Sequence, residues 1–190
     1  MRLLQLFLFS LSFILVGCVH YKEYPFPHSR NINLDSQLVG TWKFDNEKNE
    51  DNESDILVFS INKEKNMYDL YISDPTKKSS SKYPAYTSTF KDKYYLNIQI
   101  EKKDNYNFMK YEVSGNKLTL WILNESPIAT SIRNKEIHGD VSSNMPVLPT
   151  TNIYFWENAK SIQKYILLHD KELFPEPVYF IKTQTPISSK

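Results

Sequence analysis

The sequence predicts a mainly β protein: a single antiparallel, barrel-like or strongly curled sheet of about eight or nine strands, with a C-terminal helix and one further short helix. Three observations carry this expectation. Between residues 38 and 123, short runs rich in Tyr, Phe, Ile, Val and Thr alternate with period two and are separated by breaks rich in Lys, Asn and Asp. Helical spacing arrives only afterwards. The composition of the 190 residues, 41% hydrophobic, 24% charged and 14% aromatic, suits one globular domain rather than a disordered, collagen-like or polytopic membrane chain. Closing such a meander into a barrel would remove its exposed edges.

Composition also excludes functions. Lys and Arg number 23 against 22 Asp and Glu, a formal charge of +1, so no broad basic field exists to hold nucleic acid phosphates. No nucleic acid partner is expected. The four glycines stand at 17, 40, 115 and 139, where neither GxxxxGK[ST] nor GxGxxG can be written. Phosphate-cradling nucleotide folds are therefore excluded.

The first element is a targeting segment. Arg2 supplies a positive start, and Leu3 to Val16 is apolar except for Gln5, Ser10 and Ser12, the length of a signal core and too short to span a bilayer. It ends in Leu15-Val16-Gly17-Cys18. Cys18 is the only cysteine, so an internal disulfide and a Cys-based zinc site are both impossible. These residues resemble the lipobox of bacterial lipoproteins. The resemblance implies diacylglyceryl transfer to the Cys18 thiol, cleavage between Gly17 and Cys18, and acylation of the new amine. Acyl chains at about 0.8 kcal/mol per buried CH2 would anchor the chain without a transmembrane helix. Cleavage would remove one basic residue, Arg2, leaving the remaining charges balanced. Val19 follows the cysteine, where an Asp, by resemblance to lipoproteins of diderm bacteria, would favour inner-membrane retention. The expectation is a protein anchored in the bacterial cell envelope, at the outer membrane facing the periplasm.

Four segments are expected: a signal peptide at 1–17, a tether at 18–36, a β-domain at 37–183 and a C-terminal tail at 184–190. The tether lacks periodicity and is broken by Pro25 and Pro27. Its Tyr21, Tyr24 and Phe26 either hang free in it or dock on the domain or the lipid interface. His20 and His28 lie in it without further ligands nearby, so no metal site follows.

Seven strands then succeed one another: Leu38 to Phe44, Ile56 to Ile61, Met67 to Ser73, Ala85 to Phe90, Tyr94 to Glu101, Phe108 to Val113 and Lys117 to Leu123. In the fifth, Tyr94, Leu96, Ile98 and Ile100 oppose Tyr95, Asn97 and Gln99, an apolar-in, polar-out division. Leu118, Leu120 and Ile122 repeat it. Asp92-Lys93 and Ser114-Gly115-Asn116 are short connections, with Gly115 or Asn116 able to take positive φ. Ser126 can cap a short helix with Pro127 at its first position and Ile128, Ala129 and Ile132 as its apolar stripe, ending by Gly139. Met145 to Thr151 reads as a loop, followed by an eighth strand, Asn152 to Trp156. Asn158 then caps a helix bearing Ile162, Tyr165, Ile166 and His169, and Pro175 and Pro177 stop it before a closing strand at Val178 to Lys182.

Leu38-Val39-Gly40-Thr41-Trp42-Lys43-Phe44 resembles the GxW opening strand of lipocalin-like proteins, in which the Trp closes one barrel end and an arginine stacks on it. The late helix and final strand recur there too. After removal of the signal segment only Arg30 and Arg133 remain as arginines. Ser161 to Phe180, with Leu173-Phe174-Pro175, is similar to small bacterial envelope lipoproteins of unassigned function.

No catalytic residue, cofactor or metal ligand is assigned. The acidic run from Asp45 to Asp55 invites a calcium reading, but counting from Asp45 places Glu50 where an EF-hand needs glycine and Ile56 where it needs a bidentate Glu, so it reads as a solvated loop. Lys77 to Lys82 reads as a basic loop with headgroup contact as the alternative. His138 and His169 lack any HExxH, GxSxG or Cys/His context; His169 reads as a partner of a helix C-terminus or a residue at the core boundary rather than as a general base. Trp42, Tyr68, Tyr71, Tyr86, Tyr95, Tyr111, Trp121 and Tyr154 lie on strands, either filling the core or lining a cavity or outer patch. The function expected is a non-enzymatic binding module for an apolar small molecule or an envelope protein partner. The alternative is a structural or assembly adaptor.

Overall fold

Eight strands close into an antiparallel barrel in the computed structural model, which describes residues 19–21, 24–26, 34–45, 56–74, 79–101, 105–143 and 151–183. They are β2 (Gly40–Phe44), β3 (Ile56–Asn62), β4 (Met67–Asp74), β5 (Ser79–Phe90), β6 (Lys93–Glu101), β7 (Asn105–Ser114), β8 (Lys117–Ile122) and β11 (Pro177–Thr183). Seven follow in sequence order, and β11 seals the gap by pairing with both β8 and β2. The mainly β, barrel-like class read from the alternation is the class observed.

The register explains the core. One inward row runs Trp42, Leu57, Ile72; another Tyr68, Ala85, Ile98; a third Tyr111, Leu120, Val178. Because successive residues point to opposite faces, these rows meet inside, and Leu38, Phe59, Leu70, Leu96, Leu118 and Phe180 are buried with them. Burying each large apolar side chain contributes about 1.5–3 kcal/mol, so the interior supplies much of the drive to fold.

Several boundaries differ from the sequence reading. Leu38, expected on the first strand, ends a 3-10 turn, Ser36–Leu38, capped by Asp35, whose carboxylate accepts from the Gln37 N–H. Ser79 to Lys82, expected in a loop, belong to β5 and pair with Tyr71 to Asp74; the partner strand sustains a polar stretch that has no apolar alternation of its own. The connection between β5 and β6 is Lys91–Asp92, both at positive φ, with Lys93 already on β6. Gly115 takes a positive φ in the connection between β7 and β8. The division expected for β6 fails in the middle of the strand, where Tyr95 and Asn97 are fully buried, while Tyr94 and Ile100 emerge towards its ends. The outer face there is covered: Phe26 stacks on Tyr95 at 4.5 Å and meets Phe108 edge-on at 5.2 Å, and Phe174 lies 6.2 Å from both rings.

The chain forms two compact units. One comprises Phe26–Asn124 with the stretch from Asp170 onward and holds the barrel; the other comprises the described residues up to Pro25 with Glu125–His169. The second unit contains a three-stranded sheet, ordered β1 (Val19–Tyr21), β10 (Thr151–Phe155) and β9 (Gly139–Ser143). The strand expected at Asn152 to Trp156 is thus displaced by one residue and joins this sheet, with Thr151 in the strand rather than in the preceding loop. Val19 to Tyr21, in the stretch expected as a tether, pairs in parallel with β10. Gly139 opens β9 at a tight approach, since a Cβ there would stand 2.3 Å from the Tyr154 carbonyl and 2.6 Å from Ile132 Cδ1.

This unit also holds α1 (Ser126–Arg133) and α2 (Ala159–Leu168). On α1, Ile128, Ala129 and Ile132 are buried as the spacing predicts, but the cap position falls to Glu125, without a side-chain hydrogen bond, rather than to Ser126. On α2, Asn158 caps through its side chain, which accepts from the Ser161 N–H at 3.0 Å. A further turn, α3 (Asp170–Leu173), follows and belongs with the barrel unit. Among the described residues no helix is long and apolar enough to cross a membrane.

Candidate functional site

One barrel rim carries a recess of about 760 Å3. Three local features build it. The positive-φ turn at Lys91–Asp92 brings Lys93 and Tyr94 to the start of β6, β7 contributes Lys110 to Val113, and the 3-10 turn places Asp35 and Gln37 beside them. Trp121 of β8 completes the wall.

Asp35 organises the inner side. Its Oδ2 accepts from the Tyr111 hydroxyl at 3.1 Å, and its main-chain oxygen accepts from the Tyr68 hydroxyl at 2.9 Å. Burial, with the neighbouring Asp35 charge, raises the Tyr111 phenol far above its ordinary range, and burial pushes Tyr68 up to about 12. Both stay protonated and act as donors, which opposes their use as bases.

On the outer side, Asp170 Oδ2 accepts from Lys93 at 2.8 Å and Lys110 at 3.0 Å. Burial alone would raise the Asp170 carboxyl, but the two lysine hydrogen bonds outweigh it and hold it below the usual carboxylate range. Lys110 also lies over Trp121 at 4.9 Å and over Phe174 at 5.2 Å. The buried hydroxyl of Tyr95 and the Oδ1 of Asp170 have no hydrogen-bond partner among the described residues. Burial and the Asp170 charge raise the Tyr95 phenol as well. The recess therefore offers fixed charges and aromatic faces, with Tyr94 48% exposed at its mouth. Within it the Tyr111 hydroxyl is held by Asp35, and Lys93 and Lys110 are held by Asp170.

The residues singled out from sequence scatter. Gly17, Cys18, His28, Arg30 and residues 46–55 lie outside the described residues, as do Lys77 and Lys78. Of His20 only the backbone, in β1, is described. His138 pairs through Nδ1 with Glu157 Oε1 at 2.8 Å on an exposed surface, and its backbone N–H donates to the same oxygen at 3.1 Å. These two bonds hold the Glu157 carboxyl below its ordinary range. His169 is the C-cap of α2, its ring stacked on Tyr165 at 4.3 Å. Among the described residues no three His, Cys, Asp or Glu side chains group as metal ligands. Trp42, Tyr68, Tyr86, Tyr95 and Tyr111 are buried, Tyr71 and Trp121 half-buried, and Tyr154 exposed. Phe26 is docked, not free: it is buried, and its carbonyl accepts from the Tyr86 hydroxyl. Sequence reading missed Asp35 and the Lys93–Asp170–Lys110 group, because their partners lie too far along the chain for any local spacing to mark them.

Fold and recess together define a closed eight-stranded antiparallel barrel with a charged, aromatic rim. The chain matches no family model, no curated protein and no solved structure.

Proposed function

We propose that this chain is a lipid-anchored bacterial cell-envelope lipoprotein, fixed through Cys18 at the outer membrane and facing the periplasm, whose barrel is a non-enzymatic binding module for an envelope protein partner. The observation that carries the choice of partner is the filled barrel: Trp42, Phe59, Tyr68, Tyr111 and Phe180, with the aliphatic residues between them, occupy the interior. An apolar ligand there would have to displace close-packed side chains. The rim recess, with Tyr94 half-exposed and Trp121 beside it among lysines and carboxylates, suits a polypeptide surface, where aromatic anchors dominate binding and polar groups form the rim.

The lipocalin-like resemblance of the opening strand gains support at Trp42. Lys182 of β11 lies over its ring at 4.9 Å, in the role that the resemblance gives to an arginine. Anchoring rests on the order of residues from Arg2 to Cys18.

Two measurements test the reading. A photo-crosslinking residue in place of Tyr94, used in intact cells, should capture a discrete protein adduct; capture of lipid alone, or of nothing, overturns the binding role. Metabolic palmitate labelling should mark the protein and should vanish with Cys18→Ser. An unlabelled wild type overturns the anchor.

A further inference from the structure

We propose that the open face of the three-stranded sheet rests on the bilayer surface, with Tyr154 and Trp156 at headgroup level. The inference builds on the lipid-anchor reading and adds the surface that meets the lipid.

The first described residue is Val19, one peptide bond from Cys18, and it is already paired with Ile153 of β10. Consecutive Cα atoms are about 3.8 Å apart, so an acylated Cys18 brings its lipid to the edge of this sheet with no slack between them. The parallel register continues to Tyr21 and Phe155, leaving β10 one strand away from the anchored segment along its length.

On β10 the alternation is sharp. Ile153 and Phe155 are 1% exposed, whereas Tyr154 is 38% and Trp156 54% exposed. Trp156 stays ordered beyond the strand because its N–H donates to the His138 carbonyl at 3.0 Å. One face of the sheet is thus packed, and the other presents Tyr154 and, further along, Trp156, on and just past the strand next to the lipid-bearing segment. These two residue types favour the boundary between hydrocarbon and water, where an apolar ring and a polar N–H or O–H are both satisfied.

Charge selects the kind of surface. Asp140 stands opposite Tyr154 on β9 and is exposed, and His138 Nδ1 lies 2.8 Å from Glu157 Oε1. Among the described side chains this face therefore carries no basic cluster to seek anionic lipid, and its occupant is a zwitterionic headgroup layer held by aromatic insertion.

The test uses the full acylated protein in phosphatidylcholine vesicles whose acyl chains are brominated near the headgroup, with Trp156→Phe as the comparison. Part of the tryptophan emission should be quenched in the wild type, that part should be absent from the variant, and raising the salt should leave it unchanged. Equal quenching in both proteins, when intact mass shows the acyl chains present, overturns this inference alone. A mass without acyl chains overturns the anchor and this inference with it. Quenching that disappears at high salt rejects the zwitterionic, aromatic contact in favour of a charge-driven one.

Discussion

Trp42 ties together segments that lie far apart in the chain. Its indole N–H donates to the Leu38 carbonyl at 2.7 Å, and its face carries Lys182, whose ammonium also reaches the Gln37 carbonyl at 3.0 Å. Gly40 permits this approach: it sits at φ +131, and a Cβ there would stand 2.8 Å from Lys182 Cε. Trp42→Phe keeps an aromatic ring, though a smaller one, but leaves a buried carbonyl without its donor, so the unfolding free energy from urea titration should fall by about 1–3 kcal/mol with an unchanged slope. Lys182→Met should cost less in that background than in the wild type, because the ring it covers is altered. Asp170 invites a parallel test. Asp170→Asn removes the charge that holds Lys93 and Lys110, and should cost about 1–3 kcal/mol at neutral pH; a variant as stable as the wild type would show those lysines to be adequately solvated without it.

At the level of elements, legibility followed the number of faces a strand buries. β8 buries one face at Leu118 and Leu120, so its alternation was readable. β6 buries residues on both faces at its centre, and a pattern of one apolar and one mixed face concealed that Phe26 and Phe174 cover the second. Strand β9, Gly-Asp-Val-Ser-Ser, offers a single apolar residue, and β1 is three residues long; both exist because β10 pairs with them, which no local window reveals. The cap of α2 was legible, since Asn at that position accepts from a helical N–H in nearly any context. Asn158→Ala should therefore lower stability by about 1 kcal/mol and speed amide exchange in the first turn of α2 before it affects the barrel strands.

For the whole molecule, pH acts through opposing carboxyls. Burial pushes Glu125 up to about 8 from an ordinary 4.5, so the folded chain keeps a proton that the unfolded chain has released. That contribution is complete below about pH 4.5 and is lost as the pH rises through about 8. Asp170 runs the other way: its lowered carboxyl stabilises the fold above its ordinary pKa, and the contribution disappears in acid. Urea midpoints should accordingly fall between about pH 5 and about pH 9, and Glu125→Gln should flatten that decline while leaving the acid limb intact. A slope identical in the two proteins would remove Glu125 as its source. The division into two units could not be read from sequence, because the chain passes between them at Pro25–Phe26, Asn124–Glu125 and His169–Asp170 without any long linker. The role of β11 has a consequence for biosynthesis. The ribosome delivers the amino end first, so the flank of β2 that awaits Phe180 stays wet until Pro177–Thr183 has emerged. Nascent chains that end before Pro177 therefore expose a naked strand flank, a target for proteases and for swapping between neighbouring copies.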